Sequence, residues 1–281
     1  METKNTGIST KQIAAQLAAF SAPLILSGIL QQLYNWVDAF VVGNVNGETS
    51  LAAVGGTTSI INFYLLAITG FTLGLAILFA QRYGSGDTGD YPKILSTFSI
   101  LLGAVFLAAA IIGIFFAPAL LRLMNTPEDI FSLALNYLQI IFLGIPFLAV
   151  YNVYSAALRG LGDSRAPFFA VLISSVVNVV LDILLVAVLG WNVTGAAIAT
   201  VASQIAMTVY LILYGSRKYA LLCIHIKDGL FDHAVLIAGL RLGLPPTVQS
   251  CVNAFGNLIL QNFMNGFGSQ TVAAITTAYR V

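Results

Sequence analysis

Between Lys11 and Asp38 the chain runs for 26 residues without a charged side chain. Crossing the hydrocarbon core of a bilayer takes about 20 apolar residues, and this run is the first of a series. Spans fall near 13–42, 50–81, 94–121, 129–158, 166–190, 194–215 and 234–264, and an eighth begins at about 270. Lipid offers no partner for backbone N–H and C=O groups, so spans of this length have to be helical. Composition points the same way, with 58% of the 281 residues hydrophobic and 8% charged. Average soluble domains carry roughly 25% charged residues, so a water-facing surface could not be assembled from this chain. A secretory h-region is about 7 to 15 residues long; the first span is twice that and reads as a retained helix. The expected fold class is all-α, a polytopic membrane helix bundle.

Other classes fall away on composition. A net charge of +1 argues against a nucleic-acid partner, which wants clustered basic surface. Cys223 and Cys251 are the only cysteines and form no metal-binding spacing, so neither a disulfide framework nor a zinc site is expected. No nucleophile–base pair or H-E-x-x-H is present, and no enzyme is expected. The glycine-rich GSGDTGD at 84–90 lacks the ending of a phosphate loop and reads as a turn. Gly70 and Gly74 form a GxxxG, which lets helices approach closely.

Basic residues orient the array. Lys4, Lys11, Arg82, Lys93, Arg159, Arg165, Arg217, Lys218 and Lys227 fall on one side, and Arg122 alone on the other. By the positive-inside rule the N-terminus and the long loop after span 6 are cytoplasmic, in a plasma (inner) membrane. His225 and His233 fall in that loop as solvated surface. Pro23, Pro146 and the pair Pro245-Pro246 lie within or at the start of spans, where a missing N–H permits a bend.

The chain also repeats itself. NVNGETSLAA at 44–53 aligns with NGFGSQTVAA at 265–274 at an offset of 221, matching Asn44, Gly47 and Ala52-Ala53 to Asn265, Gly268 and Ala273-Ala274. Six spans separate the copies, so span 7 would repeat span 1 in the same orientation, as in transporters built from parallel repeats. The expected organisation is a six-helix lobe over 1–215, a cytoplasmic linker at 216–233, and the first one to two helices of a second lobe over 234–281, part of a longer protein. No oligomer is implied.

Polar residues inside spans are the functional candidates. Asp38 and Asp182 are the only acids placed there, and an intramembrane carboxylate costs roughly 2.5–3.5 kcal/mol on insertion scales. On span 1, Gln31, Tyr34, Asn35 and Asp38 share one helical face; on span 5, Ser174, Asn178 and Asp182 recur every four residues. Thr200 and Gln204 repeat that spacing on span 6. Facing stripes would give a carboxylate pair able to take up a proton or hold a small monovalent cation such as Na⁺ through Asp38 and Asp182, and so bias a bistable helix arrangement. Interhelical glue is the competing role for Gln31, Asn35, Ser174 and Gln204.

The stretches APLILSGILQQLYNWVDAFVVG, ILFAQRYGSGD, YSAALRGLGDSRAPF and NVVLDILLVAVLGWNVTGAAIATVASQ together resemble the MATE (multidrug and toxic compound extrusion) family. The likeness implies twelve helices in two six-helix lobes, and hence that this chain stops within the second. It implies a secondary antiporter that exports organic, often cationic and amphipathic compounds in exchange for H⁺ or Na⁺, with no other cofactor. In the DinF-like branch the coupling residues correspond to Tyr34, Asp38, Asn178, Asp182 and Thr200, with Asn152 a looser match. Other branches place a glutamate on helix 7; here that span has no acid, and Gln249 and Asn253 are its inward-facing candidates. A flippase for lipid-linked oligosaccharides is the alternative within the superfamily, disfavoured because spans 1 to 6 hold no internal Lys or Arg. A channel or a seven-helix receptor is the alternative outside it; the charge bias opposes the receptor.

Overall fold

A computed structural model describes residues 10–223, 231–268, 270–272, 274 and 275. Lys4, His225, Lys227, most of the predicted linker and the continuation of the eighth span past 275 lie outside the described residues. Seven helices account for the fold: α1 (Thr10–Asn46), α2 (Glu48–Gly84), α3 (Tyr91–Leu123), α4 (Glu128–Gly160), α5 (Arg165–Asp182), α6 (Asn192–Lys218) and α7 (His233–Asn265). All seven are long and apolar enough to cross a membrane. Most exceed the length of a straight crossing, so they tilt or reach beyond the hydrocarbon core. The chain is a multi-pass helical membrane protein.

Helix α4 is the hub, packing on α2, α3 and α6, while α5 lies on α6 and α1 lies chiefly on α5. Helix α7 attaches from the opposite side, along α2 and part of α3. The prolines at 23, 118, 146 and 245–246 all sit inside continuous helices. Each removes a backbone donor that the turn before it would have used. Past Asp182, α5 continues as a π-helical segment, Ile183–Val188, a wider winding often found at functional sites.

The two turns that the sequence repeat aligns each carry a glycine at positive φ. Gly47 (φ 82°) and Gly268 (φ 89°) are both left-handed, a conformation that glycine adopts without steric cost. Each is followed by a helical bond back to its carbonyl, from Leu51 and from Val272.

The half of the α2–α7 contact nearer the start of α7 explains the GxxxG. Because Pro246 has no N–H, the Leu242 carbonyl is released from the helix ladder. It points at α2 beside Gly74, where any Cβ would collide with it; a Cβ on Gly70 would lie 2.8 Å from the Pro246 carbonyl. Gly239 and Gly243 receive the rings of Phe98 and Phe71 in the same way. Small residues thus let two backbones touch, the usual basis of helix association in lipid.

At the end of the bundle holding the α4–α5 turn, Asp163 ties three segments together. One carboxylate oxygen accepts from the backbone N–H groups of Arg165 and Ala166 (both 3.1 Å). The other accepts from Tyr214 Oη (3.0 Å), Lys218 Nζ (3.0 Å) and Tyr219 Oη (2.8 Å). Burial alone would raise its pKa, but the bonds from Tyr219, the Ala166 N–H, Lys218 and Tyr214 outweigh it and hold the group below the ordinary aspartate value. The start of α5 is thereby pinned to the end of α6.

Candidate functional site: a polar cavity between α1, α2, α6 and α7

A cavity of about 500 Å³ opens among the helices, and the α1 stripe forms one wall of it. Gln31, Tyr34, Asn35 and Asp38 all line it, as their shared helical face requires. Tyr34 pairs with Gln31 one turn earlier and lies within electrostatic range of both Asp38 and Asp182. From α5 and α6 come Ser174, Thr200 and Gln204. Thr200 donates its hydroxyl to the Ala196 carbonyl (3.0 Å), leaving its oxygen able to accept. Gly144 on α4 makes room for Gln204: a Cβ there would collide with the Gln204 amide oxygen.

Asp38 is at the wall, 8% exposed, whereas Asn178 and Asp182 are fully enclosed behind it. Neither oxygen of Asp182 and neither amide atom of Asn178 has a hydrogen-bond partner among the described residues. Asp38 and Asp182 are near enough to feel one another's charge. Buried polar groups in native proteins are almost always paired, and an isolated ionised carboxylate in a low-dielectric interior is strongly disfavoured. Asp182 in that setting is comfortable only when it carries a proton or lies beside a cation. The oxygens of Asp38, Asp182, Asn178 and Thr200 suit a hard cation, which prefers oxygen ligands. Among the described residues no cluster of three or more His, Cys, Asp or Glu forms a transition-metal site.

The remaining candidates divide. Asn152 bonds back to the Leu148 carbonyl (2.8 Å) and does not reach the cavity lining. Gln249 and Asn253 lie on the exposed face of α7 and away from the cavity; Asn257 and Gln261 line it instead. The reason is geometric. A stripe at spacing four advances about 40° per step around a 3.6-residue helix, so its two ends face different ways. Sequence reasoning also passed over Ser59 and Asn62 of α2. The polar series Gln249, Asn253, Asn257, Gln261 runs on along α7, and its last two members reach the cavity.

Comparison with known proteins bears on the family and the fold. The MatE family profile matches residues 23–184. The chain is 32% identical to the probable multidrug resistance protein YoeA of Bacillus subtilis (strain 168), over 98% of this chain and 62% of that protein. It is 31% identical to the probable multidrug resistance protein YpnP of the same organism, over 96% of this chain and 60% of that one. The chain therefore spans about three fifths of the length of these curated relatives. Among solved structures it resembles a multidrug resistance MATE family transporter of the MOP superfamily in its outward-facing conformation, with TM-score 0.81, 26% identity, and coverage of 94% of this chain and 59% of that one. The inward-facing conformation matches at TM-score 0.79 and 26% identity, covering 89% and 57%. A profile matched over more than half of the chain, on the same helices that build the carboxylate-bearing wall, leads to one conclusion: the chain belongs to the MATE family.

Proposed function

We propose that this chain forms the ion-coupling lobe of a secondary antiporter that exports organic cations in exchange for inward H⁺ or Na⁺. The observation that carries the reading is the pair Asp38 and Asp182, one at the cavity wall and one enclosed behind it without a protein donor. Uptake of a proton or Na⁺ neutralises this pair; Tyr34, Asn178 and Thr200 shape its surroundings. The cavity lining includes the acid Asp38 and no lysine or arginine, which suits a cationic cargo and not the pyrophosphate of a lipid-linked sugar. The names of the relatives, which describe multidrug resistance, support drug-like organic compounds as cargo. Neutralisation bends α1 at Pro23 and reshapes the cavity, while the second lobe rocks against the first. The basic bias supports a cytoplasmic N-terminus and a cytoplasmic loop after α6, which fits a plasma-membrane exporter.

The test is efflux of a fluorescent organic cation from vesicles bearing the full-length protein, driven by a proton or a sodium gradient. Asp38→Asn and Asp182→Asn are each expected to abolish driven efflux. Wild-type rates in both variants would rule the mechanism out, and the gradient that drives the parent identifies the ion.

A further inference from the structure

Toward the end of the bundle that holds the α1–α2 and α5–α6 turns, each membrane carboxylate is followed four residues later by a buried valine. Asp38 is followed by Val42, and Asp182 by Val186. The two valines meet in a second apolar cluster with Val54 of α2 and with Val193, Ala196 and Ala197 of α6. The π-helical segment that carries Val186 touches both α1 and α6 and so joins them. Gly195 brings α6 flush against it: a Cβ there would lie 3.0 Å from Leu185 Cβ and 3.1 Å from the Leu185 carbonyl carbon. The Leu185 carbonyl accepts from the Trp191 N–H (2.9 Å), which ties off the end of the segment.

This cluster separates two polar layers. On one side stand the carboxylates and Thr200; on the other, Ser50 Oγ donates to Asn192 Oδ1 (2.9 Å) across the starts of α2 and α6. Eight residues of α6 part Asn192 from Thr200, about 12 Å at the rise of an α-helix. Over Ile183 to Gly190 and Ala39 to Gly43 no side chain has a hydrogen-bonding group. Of the buried members of the cluster only Tyr137 has one, and it belongs to the cavity lining. Val42, Val186, Val193, Ala196 and Ala197 stand behind that lining. A proton crosses such a layer along water or a chain of polar groups, and Na⁺ needs oxygen ligands. Packed valine and alanine offer neither, and buried water persists only where polar groups hold it. Apolar constrictions stop ions in channels on the same ground, by excluding water.

We propose that this cluster is an ion seal. It closes the Asp38–Asp182 pair off from the membrane face at the α1–α2 and α5–α6 turns, which is the outer face in the topology proposed above. The cavity is then the polar approach to the pair. The inference rests on the reading of that pair as the coupling site. The seal keeps ion entry tied to cargo exit: once it is breached, the pair lies open from both sides and ions cross without cargo. It gives a functional role to side chains that have no ion chemistry of their own.

The experiment follows the decay of a proton gradient in liposomes bearing the full-length protein, with a pH-sensitive dye inside and no organic cation present. Uptake of radioactive sodium is the parallel arm. The parent is expected to hold both gradients. Val186→Ala should speed the entry of the coupling ion by on the order of tenfold, since a wetted breach relieves part of the cost of a charge in the membrane. Val42→Ala should do the same, and it carries the test should Val186→Ala fail to fold. Adding Asp182→Asn to either should restore the parent's tightness, because the leak runs through the carboxylate. Val153→Ala hollows an equally buried site in the main core and should stay tight. Parent-like tightness in both valine variants overturns the proposal. So does an equal leak in Val153→Ala, or a leak that survives Asp182→Asn. Driven efflux of an organic cation, measured on the same liposomes, keeps the two readings apart. A parent that does not pump while Val186→Ala leaks would remove the antiport reading and leave the seal standing.

Discussion

Two aspartates buried in the same chain are treated in opposite ways. Asp163 receives five hydrogen bonds, three from side chains and two from backbone N–H groups. Asp182 is more deeply enclosed and receives none among the described residues. Both are acids withdrawn from solvent, so burial alone does not tell a structural carboxylate from a working one. Satisfaction does. A fully bonded carboxylate is fixed in its charged form, whereas one without donors changes charge readily as its occupant comes and goes.

This contrast can be broken by exchanging acid for amide at each site. The largest effect is expected at Asp182→Asn: driven efflux falls to background while the thermal midpoint in detergent stays level or rises, because an uncompensated buried acid has been removed. A marked drop in that midpoint would place Asp182 in the structural class. Asp163→Asn should do the reverse. It turns an acceptor into an N–H donor facing three other donors, with an expected stability loss of about 1–3 kcal/mol; the half-exposed Lys218 contributes little to that figure. Efflux per folded molecule should remain near the parent value. Tyr219→Phe deletes one of the bonds and is expected to lower stability by about 0.5–1.5 kcal/mol in the same melt.

The smallest effect is on acid stability. Asp163 titrates lower folded than unfolded, so its contribution is complete above the unfolded value of about 3.9 and fades as pH falls below it. Melts from pH 5 to pH 3 should therefore show a steeper loss for the parent chain than for Asp163→Asn. Parallel curves would mean that the network does not fix the charge of Asp163.

Much of this was readable from residue order. The spans, the shared face of Gln31, Tyr34, Asn35 and Asp38, and the close approach at Gly70 and Gly74 follow from helical periodicity and residue size, which act locally. The structure brings Ser174, Thr200 and Gln204 to the same cavity as that face. On α7 a four-residue stripe slowly turns, so Gln249 and Asn253 lie off the cavity lining of this chain while Asn257 and Gln261 line it. The side-chain part of the Asp163 network could not be read locally: its side-chain donors lie 51 to 56 residues away, and only packing of α6 against the α4–α5 turn brings them near. The bonds from Ser59 to Gln261 and from Asn265 to the Met124 carbonyl are of the same non-local kind, joining partners more than 130 residues apart.

The left-handed glycines at 47 and 268 bear on how such a chain diversifies. The two turns share a corner glycine, yet the position 221 residues beyond Asp38 is Ile259. A corner glycine can be kept while a carboxylate on the helix before it gives way to an alkyl group, so backbone shape and site charge vary independently along such helices.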